Sequence, residues 1–241
     1  MGKIKPTNMK KLLLSAFVLF AAVISLSAQS VDEVINKYVQ AIGGAEKWTK
    51  VQSLKVEGQI EVQGLAIPFT MQAVHMKGMR VDAEFQGSKI IDITTPTKGW
   101  SQNPLMGKTG LEEITADELK TKIDELDVQD EFVNYKEKGS TVEYLGKEEE
   151  EGTSYHKVKL TTKNGNEKTY YFDLNTYLIY KEETTVKQQG QEIKQSVKYL
   201  DYQTLENGIK MAFKSDMGMM MMVTKKVTIN PTIDIAIFSG K

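Results

Sequence analysis

The chain of 241 residues has no cysteine, two histidines, five prolines and a single arginine, Arg80. Without cysteine there can be no disulfide framework, no thiolate metal site and no cysteine nucleophile. A formal charge of −1 lacks the basic face that a nucleic-acid partner requires. No Gly-x-Ser-x-Gly elbow and no phosphate-cradling glycine loop occur. His75 and His156 stand apart, with no carboxylate at metal-ligand spacing, so zinc is not expected. The absences together predict a protein that is not an enzyme and carries no cofactor or metal. What is present, 40% hydrophobic and 26% charged residues, excludes collagen-like, coiled-coil and disordered chains. The length suits one all-β barrel-type domain or two small ones.

Residues 1–28 read as a secretory signal peptide. Lys3, Lys5, Lys10 and Lys11 precede an apolar run of 15 residues, Leu12 to Leu26, which the small residues Ser25, Ser27 and Ala28 close. A spanning helix would need roughly 20 apolar residues. Cleavage after Ala28 removes four lysines and no acid, moving the formal charge from −1 to −5. The expectation is a soluble periplasmic protein, residues 29–241, in one domain and monomeric.

Ser30 and Glu33 form a capping-box pattern. Behind them Val31, Val34, Ile35, Tyr38, Val39 and Ile42 recur at helical spacing, one apolar stripe ended by Gly43-Gly44. From Ser53 the period changes from 3.6 to 2. Leu54, Val56, Ile60 and Val62 alternate with polar neighbours, the pattern of an antiparallel strand with one wet face. Similar segments run over Ile67–Met76, Met79–Phe85, Lys89–Thr94, Val142–Gly146, His156–Thr162, Lys168–Leu174, Tyr177–Val186, Ile193–Tyr202, Ile209–Ser215 and Met219–Ile229. Glycine turns separate them, with Asn164-Gly165 the strongest hairpin signal. About eleven strands at meander spacing result. Gly107–Gln129 is the exception: Thr115 and Glu118 form a second capping box, and Leu119, Ile123 and Leu126 line one side of a short helix. After Asn230-Pro231, which cannot continue a ladder, comes an apolar tail with Ile233, Ile235, Ile237 and Phe238.

Nearly every strand offers one apolar face, so the sheet must curl to bury it. The helices are too few to cover so wide a sheet. A mainly β fold is therefore predicted: a single curled antiparallel sheet, a half-barrel of about eleven strands, with an α-helical lid. Its interior is either open to an apolar ligand or filled by bulky side chains.

Val31–Gly58, Gly99-Trp100-Ser101-Gln102-Asn103-Pro104, Tyr171–Ile179, Asn207-Gly208-Ile209-Lys210 and Asn230–Phe238 follow one another along the chain. In kind and in order these stretches resemble the LolA/LolB-like lipoprotein-localisation proteins, especially their Bacteroidetes relatives. The resemblance implies an eleven-stranded half-barrel with a helical lid, whose cavity accepts acyl chains of lipoproteins or other lipids, with envelope membrane proteins as further partners. It also implies an arginine early in the sheet that holds the lid. The sole arginine is Arg80, and the position nearest the pattern is Lys77.

By face and stripe, the lining residues are expected to be Leu54, Val56, Phe69, Met71, Val81, Phe85, Trp100, Leu119, Ile123, Phe172, Val197 and Met211. Burying about a dozen methylenes contributes on the order of 10 kcal/mol before the costs of binding. Met217-Gly218-Met219-Met220-Met221-Met222 fits three readings: a strand buried on both faces, a deformable lipid wall, or thioether ligands for Cu(I). The leading function class is an acyl-chain carrier and the second a filled structural or interaction module that binds an envelope protein; a third, an enzyme, would require a cluster of polar groups inside the cavity around His75 or His156.

Overall fold

The computed structural model describes residues 31–188 and 191–240; the expected leader, the Ser30 cap and the Gln189-Gly190 turn lie outside the described residues. Helix α1 spans residues 31–41, and its predicted apolar stripe is buried throughout, to 2% exposure at Ile35 and 1% at Ile42. Gly43 ends it at φ 113°, where a Cβ would stand 2.4 Å from the Gly208 carbonyl oxygen. Both the left-handed backbone and the close approach require glycine there. A single turn, α2 (Ala45–Trp48), follows, and the Trp48 indole donates to the Ile42 carbonyl at 3.1 Å.

One antiparallel sheet of thirteen strands makes up the rest. In chain order these are β1 (Ser53–Val62), β2 (Leu65–Val74), β3 (Gly78–Phe85), β4 (Ser88–Thr94), β5 (Gly99–Asn103), β6 (Lys108–Glu113) and β7 (Thr141–Glu150). Then come β8 (Thr153–Thr161), β9 (Glu167–Asp173), β10 (Ile179–Gln188), β11 (Gln191–Thr204), β12 (Lys210–Asp216) and β13 (Met220–Ile229). Eleven are the strands expected from alternation. The additional two, β5 and β6, are short, polar and at one edge of the sheet. An edge ribbon buries little, so the alternation that betrays a strand is missing there. Gln63-Gly64, Gln86-Gly87 and Glu151-Gly152 all place both residues at positive φ, the type I′ hairpin whose twist matches the flanking strands.

Strand order across the sheet is β6-β5-β4-β3-β2-β1-β13-β12-β11-β10-β9-β8-β7. Two features depart from a plain meander. The first strand pairs with the last, from Leu54 opposite Ile229 to Val62 opposite Met220. Consecutive β6 and β7 sit at opposite edges, so residues 114–140 must cross the whole sheet. The crossing begins with α3 (Ala116–Lys122), whose predicted capping box is present: Thr115 accepts from the Glu118 amide, and Glu118 accepts from the Thr115 amide. A 3-10 turn (Ile123–Leu126) and an irregular stretch complete it.

The face of the sheet that these segments cover is the inner one. Over part of it, α1 and the crossing fill the space with Val128, Phe132, Val133 and Tyr135. Phe132 makes edge-on ring contacts with Tyr38, Tyr170 and Phe172 at centroid distances of 5.5, 4.9 and 5.3 Å. The filling is thus done largely by irregular chain, which the count of predicted helices overlooked.

The C-terminal tail lies on the outer face. Asn230 stops β13 and its side chain accepts from the Gln52 amide at 2.7 Å. Phe238 is 4% exposed and packs on Gly78, where a Cβ would come within 2.5 Å of its ring. Arg80 donates to the Ile237 carbonyl at 3.1 Å and pairs with Asp82 at 2.7 Å. Arg80 therefore holds the tail, and Lys77 is exposed. Neither supplies the lid contact that the resemblance implied. Instead Lys122, on α3, reaches Asp92 of β4 at 2.9 Å.

Candidate functional site

Strand register defines a second apolar zone on the inner face. Leu54, Val56, Gly58, Ile60 and Val62 of β1 stand opposite Ala73, Met71, Phe69, Ile67 and Leu65 of β2. Phe69 and Met71 stand opposite Ala83 and Val81 of β3. Val56, Ile67, Phe69 and Ala83 form a buried cluster, with Ile60, Val62, Phe85, Ile90 and Met222 packed around it. Every member is a strand residue; among the described residues none from α1, α3 or the crossing joins it. The inner face is thus plugged by α1 and the crossing over one part and closed by strand side chains alone over the other, where Val56, Ile67, Phe69 and Ala83 are 4–9% exposed and Ile60, Val62, Val81 and Phe85 partly exposed. We call the helix-free part the trough.

The expected lining residues divide accordingly. Val56, Phe69, Met71, Val81 and Phe85 lie in or against the trough cluster. Leu54 and Phe172 belong to the plugged core, and Met211 packs against it. Leu119 and Ile123 sit half-buried on the crossing, above the sheet. Val197 borders an open groove of about 620 Å³ together with Met217 and Met220. Trp100 is on the other face: it pairs with Ile93, and a Cβ at Gly240 would fall 2.2 Å from its ring. Its place is beneath the tail, because β5 continues the alternation with Trp100 pointing outward. Of the methionine run, Met222 packs on the trough cluster, whereas Met219 is 82% exposed at the hairpin tip.

Between α1, the crossing and strands β9–β12 lies a polar pocket of about 290 Å³, walled by Trp48, Tyr170, Tyr199, Tyr202, Asp130 and Glu131 among others. Tyr38 donates to Asp130 at 2.6 Å, Tyr199 to Glu182 at 2.8 Å, and Tyr170 to Glu131. Lys168 stands between Glu131 and Glu182, at 3.5 and 3.6 Å. Glu131 keeps 28% of its side chain exposed and lines this pocket. Burial raises its carboxyl to about 7, against the opposing pull of Lys168. Burial likewise raises Asp130, and it holds the phenols of Tyr38, Tyr170 and Tyr199 protonated. None of these polar residues was expected from the sequence. The available signal was parity: Lys168, Tyr170 and Phe172 alternate on one face, which puts a lysine where only apolar groups belong.

A second cavity, about 350 Å³, opens at the rim between His75, Pro96, Ile123 and Leu126. His75 Nδ1 is buried without a hydrogen-bond partner, 3.5 Å from Asp127, and burial lowers the histidine's pKa. His156 stacks on Tyr177 and shares a 3.0 Å hydrogen bond with Tyr144. Among the described residues no group of three histidine or acidic side chains is placed to hold a metal. No helix among them is long and apolar enough to cross a membrane.

No family profile matches the sequence, and no curated protein matches it. Solved structures do. A DUF1329 family protein from Desulfovibrio piger superposes with a TM-score of 0.55 at 11% identity, over 87% of this chain and 97% of that one. A domain described as an outer membrane lipoprotein-sorting protein, from Vibrio parahaemolyticus, gives 0.52 at 10% identity, covering 86% and 94%. A LolA superfamily protein from Nitrosomonas europaea gives 0.51 at 10% identity, covering 84% and 97%. The fold is LolA-like: a curled, unclosed antiparallel sheet with helices on its inner face.

Proposed function

We propose that this chain is an exported, non-catalytic carrier that holds acyl chains of lipoproteins or other lipids of the cell envelope. The helix-free trough of Val56, Ile67, Phe69 and Ala83 is the observation that carries the reading. Above that buried floor the apolar side chains of Ile60, Val62, Val81 and Phe85 stay partly exposed with no helix over them, and contiguous apolar surface of that kind is a mark of a binding site. The LolA-like fold and the lipoprotein-sorting description of one structural neighbour support the same reading. In it residues 1–28 direct export to the periplasm, residues 29–241 act as one monomeric domain, and Val56, Phe69, Met71, Val81 and Phe85 touch the chain. The filled core around Phe132 favours a second reading, an interaction module that binds an envelope protein through its rim.

Native mass spectrometry of the protein purified from the cell envelope separates the two. Adducts of acyl-chain mass, lost in Ile60→Asp, are expected for the carrier. A clean apo mass after gentle purification, with a protein partner retained, leaves the module.

A further inference from the structure

We propose that the polar pocket between α1 and strands β9–β12 binds the cationic, amine-bearing end of an amphiphile whose chain occupies the trough; the inference rests on the carrier reading. The wall is rich in acceptors and poor in donors. All four of its phenol protons are already given away: Tyr38 to Asp130, Tyr170 to Glu131, Tyr199 to Glu182, and Tyr202 to the Ile179 carbonyl at 2.8 Å. What the four hydroxyls still offer an occupant is oxygen lone pairs. The carboxylates are short of cations as well. Glu131 and Glu182 share one close ammonium, that of Lys168, and Asp130 has no ion pair among the described residues. Lys138 bonds to the Asp130 backbone carbonyl at 2.7 Å, not to its carboxylate. Lys210 reaches the wall without an ion pair to any of the three. Burial raises the carboxyls of Asp130 and Glu131 against the opposing pull of Lys138 and Lys168.

Ring chemistry points the same way. Trp48 and the four tyrosines are five of the thirteen lining residues, and aromatic rings attract ammonium groups, the more so when water is excluded. A phosphate, sulfate or carboxylate would meet carboxylates there, with only Lys210 and Ser215 to donate.

Position completes the case. Ser215 lines the pocket and is the cross-strand partner of Met222, which packs on the trough cluster and pairs in turn with Ile60. A chain lying along the trough thus delivers its head to the pocket across one strand.

The test uses the full chain and three probes with the same dodecyl tail, each below its micelle concentration: dodecyltrimethylammonium, dodecyl maltoside and dodecyl sulfate. Calorimetry should show the ammonium binding at least ~10-fold more tightly than the maltoside, which corresponds to about 1.4 kcal/mol. In Asp130→Asn/Glu131→Gln that preference should fall within about twofold, with maltoside affinity unchanged, as expected for isosteric changes. Should the double variant lose its circular dichroism spectrum, Glu131→Gln alone should still cut the preference at least threefold by the same reasoning. Equal binding of ammonium and maltoside, or a preference for sulfate, overturns the head-group assignment and leaves the carrier intact. No binding of any probe overturns the carrier, and the assignment with it.

Discussion

Lys122 Nζ lies 2.9 Å from Asp92 Oδ1, joining the helix that crosses the inner face to the sheet beneath it. Both side chains are about one-third exposed, at 35% and 34%, so the pair contributes at most ~1 kcal/mol. Helix α3 has no buried residue. Its other anchors come from β6, where Lys108 lies 3.7 Å from Glu118, and from the β8–β9 turn, where Asn166 donates to the Lys120 carbonyl at 2.8 Å and Thr162 to Asp124 at 2.8 Å. Lys122→Ala should leave the unfolding midpoint nearly unchanged and accelerate amide exchange over residues 116–126. Unaltered exchange would assign the anchoring to those contacts instead.

The plugged and helix-free parts of the inner face should respond oppositely to substitution. Phe132 is 1% exposed and touches three rings, so Phe132→Ala should cost about 3–5 kcal/mol. Phe85 is only half-buried at the edge of the trough. Phe85→Asp should cost less than about 1.5 kcal/mol and still weaken acyl-chain binding at least ~10-fold. Urea denaturation and a fluorescent fatty-acid displacement assay measure the two effects on the same samples.

Glu131 gives a pH signature. Its folded-state carboxyl, raised to about 7 from 4.5 chiefly by burial, favours the neutral form. That preference stabilises the fold fully below pH 4.5 and is lost as the pH rises through 7. Glu131→Gln should therefore match the parent near pH 4.5 and exceed it at pH 8, by up to about 3 kcal/mol. Urea midpoints across that range report the difference. A constant gap would mean that Lys168 keeps Glu131 ionised throughout.

The outer-face tail depends on a missing side chain. Gly78→Ala would drive a methyl to within 2.5 Å of the Phe238 ring. The backbone at Gly78 is not in the left-handed region, so the clash acts on the tail rather than on β3. A loss of about 1–3 kcal/mol is expected. Carboxypeptidase should then trim the chain back toward Pro231 faster than it trims the parent.

Much of this architecture was legible as periodicity. The α1 stripe, the Thr115 capping box and eleven alternating strands are local patterns, and local patterns survive in a bare sequence. Pairing does not: nothing near Leu54 announces Ile229 as its neighbour, because the partners are 175 positions apart. β5 and β6 escaped for want of a buried face. The trough residues Val56 and Phe69 could be read from parity, whereas Trp100 took the opposite face because strand β5 itself had gone unseen. The polar pocket was hidden more deeply. Lys168, Glu182 and Glu131 look like ordinary solvated charges until the crossing segment and β9–β10 enclose them.

The β1–β13 seam also governs how the molecule comes together. Each side of it, β2–β6 and β7–β12, is a chain of neighbouring hairpins that can zip from local contacts. The centre must wait for the last strand to meet the first, closing a loop that spans nearly the whole polypeptide. Such long-range closure is slow. Until it happens both flanks of the future seam present unpaired edges, a hazard for self-association. Refolding should accordingly have its slow step at Val56–Val227, in the middle of the finished sheet.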